Sequence, residues 1–342
     1  MKKILIFGAG SIGNHMSYAC SKLNHKVFVT DISKNALLRM KNLVYPKRYG
    51  NWNKNISLIN YEDVFSLKIN FDLVILGTPP ITHYNLFIKC KRKLSFKKIL
   101  IEKPLSTYHD KKIYSLKKDL NKYLIFCGYN HSVNPSLSYF FKLLNKDKKI
   151  INKVEIKWKE GWSGILGAHP WMKSEFDSYL GNFMHGGGAI HEHSHGIHAL
   201  ICILKILNLS IPTKIKKILS FNSKKKIIYD KLAIFYFEIS KIFFSYETDL
   251  ITYPAEKSIK IITKNDNLFW VCNYKKNYDA VIFQKGDKKF MKMFKKSRSS
   301  EFENEIKHIF LINNKKKFEA SNINLFNSLN TLKIISKVFD DR

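Results

Sequence analysis

Short aliphatic runs recur through the first third of the chain, at Lys3 to Phe7, Lys26 to Thr30, Leu73 to Leu76, Lys98 to Ile101 and Tyr123 to Cys127. Helical spacing separates them, beginning with Ile12 to Leu23. That alternation builds a parallel sheet and predicts a doubly wound α/β domain ending near Gly128. Beyond it the texture shifts to longer β-branched and aromatic segments, Val154 to Trp158, Leu232 to Ile239, Ile242 to Glu247 and Ile259 to Ile262. These predict an α+β domain with a large, mostly antiparallel sheet. Helices are expected after Gly186 to Gly188, over Glu301 to Leu311 and over Leu325 to Val338. The expected division is 1–128 and 129–342, with the final helix a candidate to pack back on the first domain. Internal repeats and low-complexity linkers are not seen.

Size and composition agree with two globular domains. A length of 342 residues exceeds what one core usually serves, and 45% hydrophobic with 14% aromatic content supplies the apolar surface for two. No apolar run approaches the roughly 20 residues of a membrane span, and the short apolar run after Met1 ends in glycines, so neither a span nor a signal peptide is expected. The five cysteines, Cys20, Cys90, Cys127, Cys202 and Cys272, lie far apart and fit a reducing cytoplasm. The charge of +32 comes from 59 Lys plus Arg against 27 Asp plus Glu. Such a field attracts polyanions, but the excess is lysine scattered in runs such as Lys224-Lys225-Lys226 and Lys315-Lys316-Lys317, and no nucleic-acid reading module accompanies it. Compositional bias accounts for it best, attraction of an acidic or phosphorylated substrate comes second, and nucleic acid is not an expected partner.

Gly8-Ala9-Gly10-Ser11-Ile12-Gly13 is a GxGxxG placed after a strand and before a helix. There the turn can bring backbone N–H groups and a helix N-terminus to a pyrophosphate, the arrangement of a Rossmann dinucleotide domain. Asp31 closes the second strand at the distance of an acid that binds a ribose 2′-hydroxyl and repels a 2′-phosphate, which favours NAD over NADP. The alternative is that the glycines only make a tight turn and Asp31 caps a helix, although Ser33 could also serve as the cap.

Three further motifs follow in order. They are Thr78-Pro79-Pro80 with His83, Glu102-Lys103-Pro104, and Gly128-Tyr129-Asn130-His131 with Pro135. Together with the glycine motif they resemble the glucose-fructose oxidoreductase and inositol dehydrogenase (Gfo/Idh/MocA) family, and Gly186 to Gly188, Pro254 to Ile262, Glu301 to Glu305 and the final helix extend the likeness over nearly the whole chain. The resemblance implies that Thr78, Pro79, Pro80, His83 and Glu102 join Gly8, Gly10, Ser11, Ile12, Gly13 and Asp31 around the cofactor. It also implies that Lys103 reaches nicotinamide and substrate. A lysine in a partly desolvated pocket can have a lowered pKa suited to proton exchange. Tyr129, Asn130 and His131 follow the last strand of the nucleotide domain and are expected as pocket wall.

The second half of the expected site runs from Gly186 to His198. Many members of the family carry an aspartate seven residues into this segment and a histidine four later. This chain has Glu192 and Gly196 there. Glu192 with His195, three residues on, resembles instead a branch of surface-polysaccharide and nonulosonic-acid pathways, as do His169-Pro170-Trp171 and Ser178-Tyr179. Residues three apart share a helix face, so Glu192 could bind a sugar hydroxyl and His195 assist proton transfer. His191 is a further candidate for substrate contact, while His193 is expected to cap or pack the helix. Trp162 and Trp171 could stack on a sugar or simply pack in the interior. Ser132 stands where the family often has an arginine. His191, His195 and His198 fall at i, i+4 and i+7, a spacing compatible with a metal, but no cysteine or clear second acid accompanies them and none is expected.

The resulting expectation is an NAD-dependent sugar or nucleotide-sugar oxidoreductase of surface-glycan biosynthesis, with Lys103, Glu192 and His195 as catalytic residues. The resemblance further implies a homo-oligomer, dimer or tetramer. A redox-assisted lyase or epimerase with retained cofactor, and a non-catalytic dinucleotide sensor, are the alternatives.

Overall fold

The computed structural model describes residues 1–146, 150–224 and 227–340. Lys225 and Lys226 of the first lysine run lie outside the described residues. The chain forms two compact units: Met1–Ser106 with Asp110–Asn130 and Arg298–Phe326, and Thr107–His109 with His131–Ser297 and Asn327–Arg342.

The first unit holds β1 (Lys3–Phe7), β2 (Lys26–Asp31), β3 (Ile56–Asn60), β4 (Asn70–Phe71), β5 (Leu73–Leu76), β6 (Ser95–Phe96), β7 (Lys98–Ile101) and β8 (Leu124–Cys127). Six of these form a parallel sheet in the order β3-β2-β1-β5-β7-β8, and β4 pairs with β6. Ile4 to Phe7, Leu73 to Leu76 and Ile99 to Ile101 are all buried. The unbroken apolar runs follow from that, because helices cover both faces of such a sheet and leave no polar side to alternate with. The order reverses direction between β1 and β5, and the loops leaving the carboxyl ends of β1, β5, β7 and β8 carry the four motifs read from the sequence. A sheet of this kind binds ligands at that end. The helix Arg298–Leu311 packs on the helix Ser11–Lys22, with the Phe302 and His15 rings stacked at 4.9 Å and Lys22 bridging Glu303 at 2.8 Å.

The second unit is an eight-stranded sheet made of β9 (Ile151–Lys159), β10 (Lys216–Lys224), β11 (Ile227–Ile239), β12 (Ile242–Asp249), β13 (Glu256–Thr263), β14 (Asp266–Lys275), β15 (Tyr278–Lys285) and β16 (Lys288–Lys295). Its order is β10-β11-β12-β9-β13-β14-β15-β16, antiparallel throughout except for the β12–β9 pair. The predicted α/β class with a parallel and a mostly antiparallel sheet is therefore what the chain adopts. One face carries the core, where Trp158 and Trp270 stack at 5.5 Å amid Phe235, Phe244 and Tyr246. The helices Pro135–Lys146 and Ser194–Ile206 cover this face. The last helix, Leu325–Phe339, gives Ile334, Ile335, Val338 and Phe339 to the same core. Among the described residues no helix is long and apolar enough to cross a membrane.

Two local features depart from the sequence pattern. The spacing does not mark β14 to β16, of which the last is lysine-rich, mostly exposed and bears little apolar alternation. The helix after the glycines is two pieces, Ala189–Glu192 and Ser194–Ile206, parted at His193, where ψ is 18°.

Candidate functional site

The three glycines of the turn have three different reasons to be glycine. Gly8 has φ of +103°, and a Cβ there would lie 2.5 Å from the Gly77 carbonyl oxygen. At Gly13 a Cβ would lie 1.9 Å from the Gly8 carbonyl oxygen, so this position lets the helix close on the strand. Gly10 has an ordinary φ of −78° and meets nothing within 4 Å. Its open backbone stands at the start of a helix with no side-chain cap, as an approaching pyrophosphate requires. A dinucleotide therefore fits this cradle. Asp31 steadies the turn, accepting the Ala9 N–H at 2.8 Å through Oδ2 and the Ser33 N–H at 2.8 Å through Oδ1. The helix Lys34–Arg39 takes its cap from Ser33, whose Oγ accepts the Ala36 N–H at 3.2 Å, which leaves Asp31 outside the capping role.

In the same unit His83 is fully buried, with Nδ1 3.0 Å from the Leu105 carbonyl and Nε2 2.8 Å from the Thr78 carbonyl. It ties the Thr78-Pro79-Pro80 loop to the segment after Lys103, and burial lowers its pKa. From Ile99 to Thr107 every residue is buried except Lys103, which is partly exposed. Glu102 is 4% exposed, and its Oε2 accepts the Lys103 N–H at 3.2 Å. Tyr129 and Asn130, at the end of this unit, are buried.

In the second unit the residues from Gly186 to Leu204 are all buried except Glu192 and His195. His195 stacks beside Trp158 at 5.9 Å and meets the edge of the His131 ring at 4.8 Å, which brings two imidazoles together against the indole. Gly196 is a packing necessity, since a Cβ there would lie 2.7 Å from the Tyr246 ring. His193 is buried with Nε2 3.3 Å from the Glu160 carbonyl, and Tyr246 donates to the His193 carbonyl at 2.8 Å, holding the break between the two helices. Trp171 is partly exposed and meets His169 edge-on at 5.5 Å, and Trp162 donates to the Tyr229 hydroxyl at 3.1 Å.

The three histidines with metal spacing face different neighbours: His191 stacks on Phe339 at 5.6 Å, His195 lies against Trp158, and Ser132 bonds His198 Nδ1 at 2.8 Å. Among the described residues no group of three or more His, Cys, Asp or Glu is placed to hold a metal ion. His191 is fully buried, and desolvation lowers its pKa to about 4. Because the unfolded chain binds that proton near pH 6.5, the neutral ring stabilises the fold fully above that value, and the contribution fades as pH falls toward about 4. Acidification from about pH 7 to about pH 5 should thus cost the second unit on the order of 2 kcal/mol. A urea titration of wild type and His191→Phe at both pH values checks this: the variant should lack that share of the pH dependence.

Sequence reasoning missed two anchors. Asp230 is fully buried, its Oδ2 accepts the Ile190 N–H at 2.8 Å, and its Oδ1 stands 1.9 Å from where a Gly188 Cβ would be. It thereby caps the short helix that ends in Glu192, a role hidden by a separation of 40 residues. Arg48 donates to Ser11 Oγ at 3.3 Å, beside the glycine turn. With five arginines in the chain, its type was a signal that could have been used.

A parallel sheet with this glycine cradle, joined to a unit built on an eight-stranded sheet, defines a two-unit chain of Rossmann type. Residues 2–124 match the model of an oxidoreductase family with an NAD-binding Rossmann fold. No curated protein matches the chain. Among solved structures, levoglucosan dehydrogenase in complex with NADH is similar with a TM-score of 0.75 at 14% identity, over 99% of this chain and 96% of that one. A 3-ketoreductase from Actinomadura kijaniata, in complex with NADP and TDP-benzene, has a TM-score of 0.71 at 10% identity over 99% and 97%. The super-repressor mutant of Gal80p from Saccharomyces cerevisiae has 0.74 at 13% over 99% and 95%. At these identities the likeness is one of fold.

Proposed function

We propose that the chain is a nicotinamide-dependent oxidoreductase acting on a hydroxyl-bearing carbon of a sugar or nucleotide-sugar, with NAD as its cofactor and surface-glycan biosynthesis as its setting. The observation that carries this reading is the pattern of exposure. In two buried segments, the side chains left partly accessible are Lys103, Glu192 and His195, the residue types needed to move a proton and hold a hydroxyl group. Two structures similar in fold, levoglucosan dehydrogenase in complex with NADH and a 3-ketoreductase in complex with NADP and TDP-benzene, support the substrate and cofactor class.

The nicotinamide, when bound, supplies the hydride chemistry, which the side chains of the protein cannot perform. Lys103 Nζ takes the hydroxyl proton during oxidation and returns it during reduction. His195, flanked by His131 and Trp158, polarises the reacting oxygen. Glu192 accepts a hydrogen bond from a second hydroxyl and so orients the ring, with Tyr129, Asn130, His131 and Trp171 as proposed substrate contacts; His191, expected as another, is fully buried against Phe339 and is left out of the set. Wild-type protein with NAD and a panel of free and nucleotide-linked sugars should form NADH with at least one of them. Measurable NAD binding without NADH formation from any sugar would turn the reading toward a closed redox cycle or a dinucleotide sensor.

The preference for NAD rests on Asp31. Asp31→Ser should lower the affinity for NAD by about tenfold and narrow the gap to NADP by a similar factor, because a carboxylate near a 2′-phosphate is repulsive. NADH and NADPH fluorescence titrations read both changes, and an unchanged NAD to NADP ratio would rule out Asp31 as the discriminating group.

A further inference from the structure

A cleft of about 500 Å³ opens in the first unit at the amino ends of β5, β7 and β8, whereas the glycine turn and the motif loops leave the carboxyl ends. Three separate stretches wall it: the approach to β4, the end of the helix His83–Lys93 with β6, and the residues before β8. Each brings cations, namely Lys68 from the first, Lys91, Arg92 and Lys93 from the second, and Lys122 from the third. No Asp or Glu is among the described residues that line it. Lys91 bridges Asp119 at 2.5 Å, but Lys68, Arg92, Lys93 and Lys122 have no carboxylate partner among the described residues. Ser95 Oγ donates to Asn70 Oδ1 at 3.1 Å, which leaves the Asn70 amide N–H groups as neutral donors in the same wall.

Two ordinary causes do not account for this convergence. Cations in the last turn of a helix offset its carbonyl end, which explains Lys91, Arg92 and Lys93 but not Lys68 or Lys122. A compositional excess of lysine explains scattered charge, yet here one of the chain's five arginines joins lysines from three stretches around a single concavity. Like charges gathered in a cleft repel one another and concentrate anions. We propose that this cleft is a second anion site, distinct from the dinucleotide cradle, and that it takes a compact oligophosphate group. Its volume falls within the roughly 300–1,000 Å³ of small-molecule sites. Arg92 offers a planar fork of N–H donors that matches phosphate oxygens, and the lysines add mobile point charges around it. The site does not depend on the reading under Proposed function.

Calorimetric titration with tripolyphosphate tests this, at about 0.15 M salt, where charges more than roughly 8 Å apart are largely screened. NADH is present throughout to occupy the glycine cradle. Wild type should bind one tripolyphosphate per chain. Lys68→Glu combined with Arg92→Glu should weaken that binding by at least about tenfold. Lys288→Glu combined with Lys289→Glu, on β16, changes the net charge by the same amount and should alter binding by less than about twofold. Both double variants should keep the NADH affinity and urea midpoint of wild type. Equal weakening in the two double variants, or wild-type heats that never saturate, would overturn the site, because the anion would then answer to the charge of the whole chain. Gly10→Ala, titrated without NADH, should bind tripolyphosphate as NADH-loaded wild type does, and loss of binding there would place the anion in the cradle and overturn the proposal. If NADH does not bind at all, the contrast between the two double variants still decides, with urea midpoints reporting that they fold. ATP in the same titration separates the sources: tighter binding than tripolyphosphate assigns a nucleotide, and equal or weaker binding a free oligophosphate.

Discussion

Lys103→Ala should lower kcat for sugar oxidation by roughly a hundred- to ten-thousand-fold, the span that one positioned acid or base contributes, while NADH affinity changes by less than about threefold. The contrast between the two numbers is the content of the prediction. Lys103 is the partly exposed residue of a segment otherwise buried from Ile99 to Thr107, so removing its side chain takes away a reactive group without opening a core. Glu102, which holds the Lys103 backbone, and His83, which ties Leu105 to Thr78, remain in place. The loop should keep its shape. A loss of NADH affinity as large as the loss of kcat would mean that Lys103 holds the cofactor and leaves the proton to another group. Lys103→Arg should recover little, because a guanidinium does not give up its proton near neutral pH.

Gly13→Ala and Gly10→Ala should fail in opposite ways. At Gly13 the added methyl would lie 1.9 Å from the Gly8 carbonyl oxygen and 2.9 Å from its carbon. Both are backbone atoms, so the helix Ser11–Lys22 must lift from the strand. Overpacking of this kind costs about 1–3 kcal/mol, and here the upper end or more is expected, together with loss of NADH binding. At Gly10 the backbone is already in a conformation alanine adopts and the methyl meets nothing within 4 Å. Stability should stay level or rise by a few tenths of a kcal/mol from reduced freedom of the unfolded chain, while NADH affinity falls by about tenfold or more, because the methyl occupies the approach to the turn. Urea midpoints and NADH fluorescence titrations of both variants measure the two quantities separately. If Gly10→Ala binds NADH as tightly as wild type, the pyrophosphate does not approach this turn.

Much of this molecule is written locally. The strands β1, β5 and β7 begin and end where the aliphatic runs do, because a parallel strand covered on both faces needs apolar residues at every position. The glycine turn, the four motif loops and the segment from Gly186 onward could be marked as candidates from residue type and order alone. The same logic explains what was not visible. Strand β16 carries exposed lysines, and the pairing of β14 to β16 depends on register with neighbours that local spacing does not reveal. The continuous helix expected after the glycines breaks at His193, because Tyr246 and Glu160 engage that residue from β12 and the end of β9. Periodicity has no access to such partners.

The amino-acid sequence by itself determined the class of each sheet, the place of the cofactor cradle and the types of side chain offered for chemistry. Those depend on short-range spacing and on conformations that only certain residues permit. Tertiary structure decided which of those side chains stay accessible. It set His191 in the interior against Phe339, left Glu192 and His195 partly open, and brought Asp230 under the helix that ends in Glu192. Burial depends on what the folded chain brings near, and residues 40 or more positions apart meet only once the sheets and helices have packed.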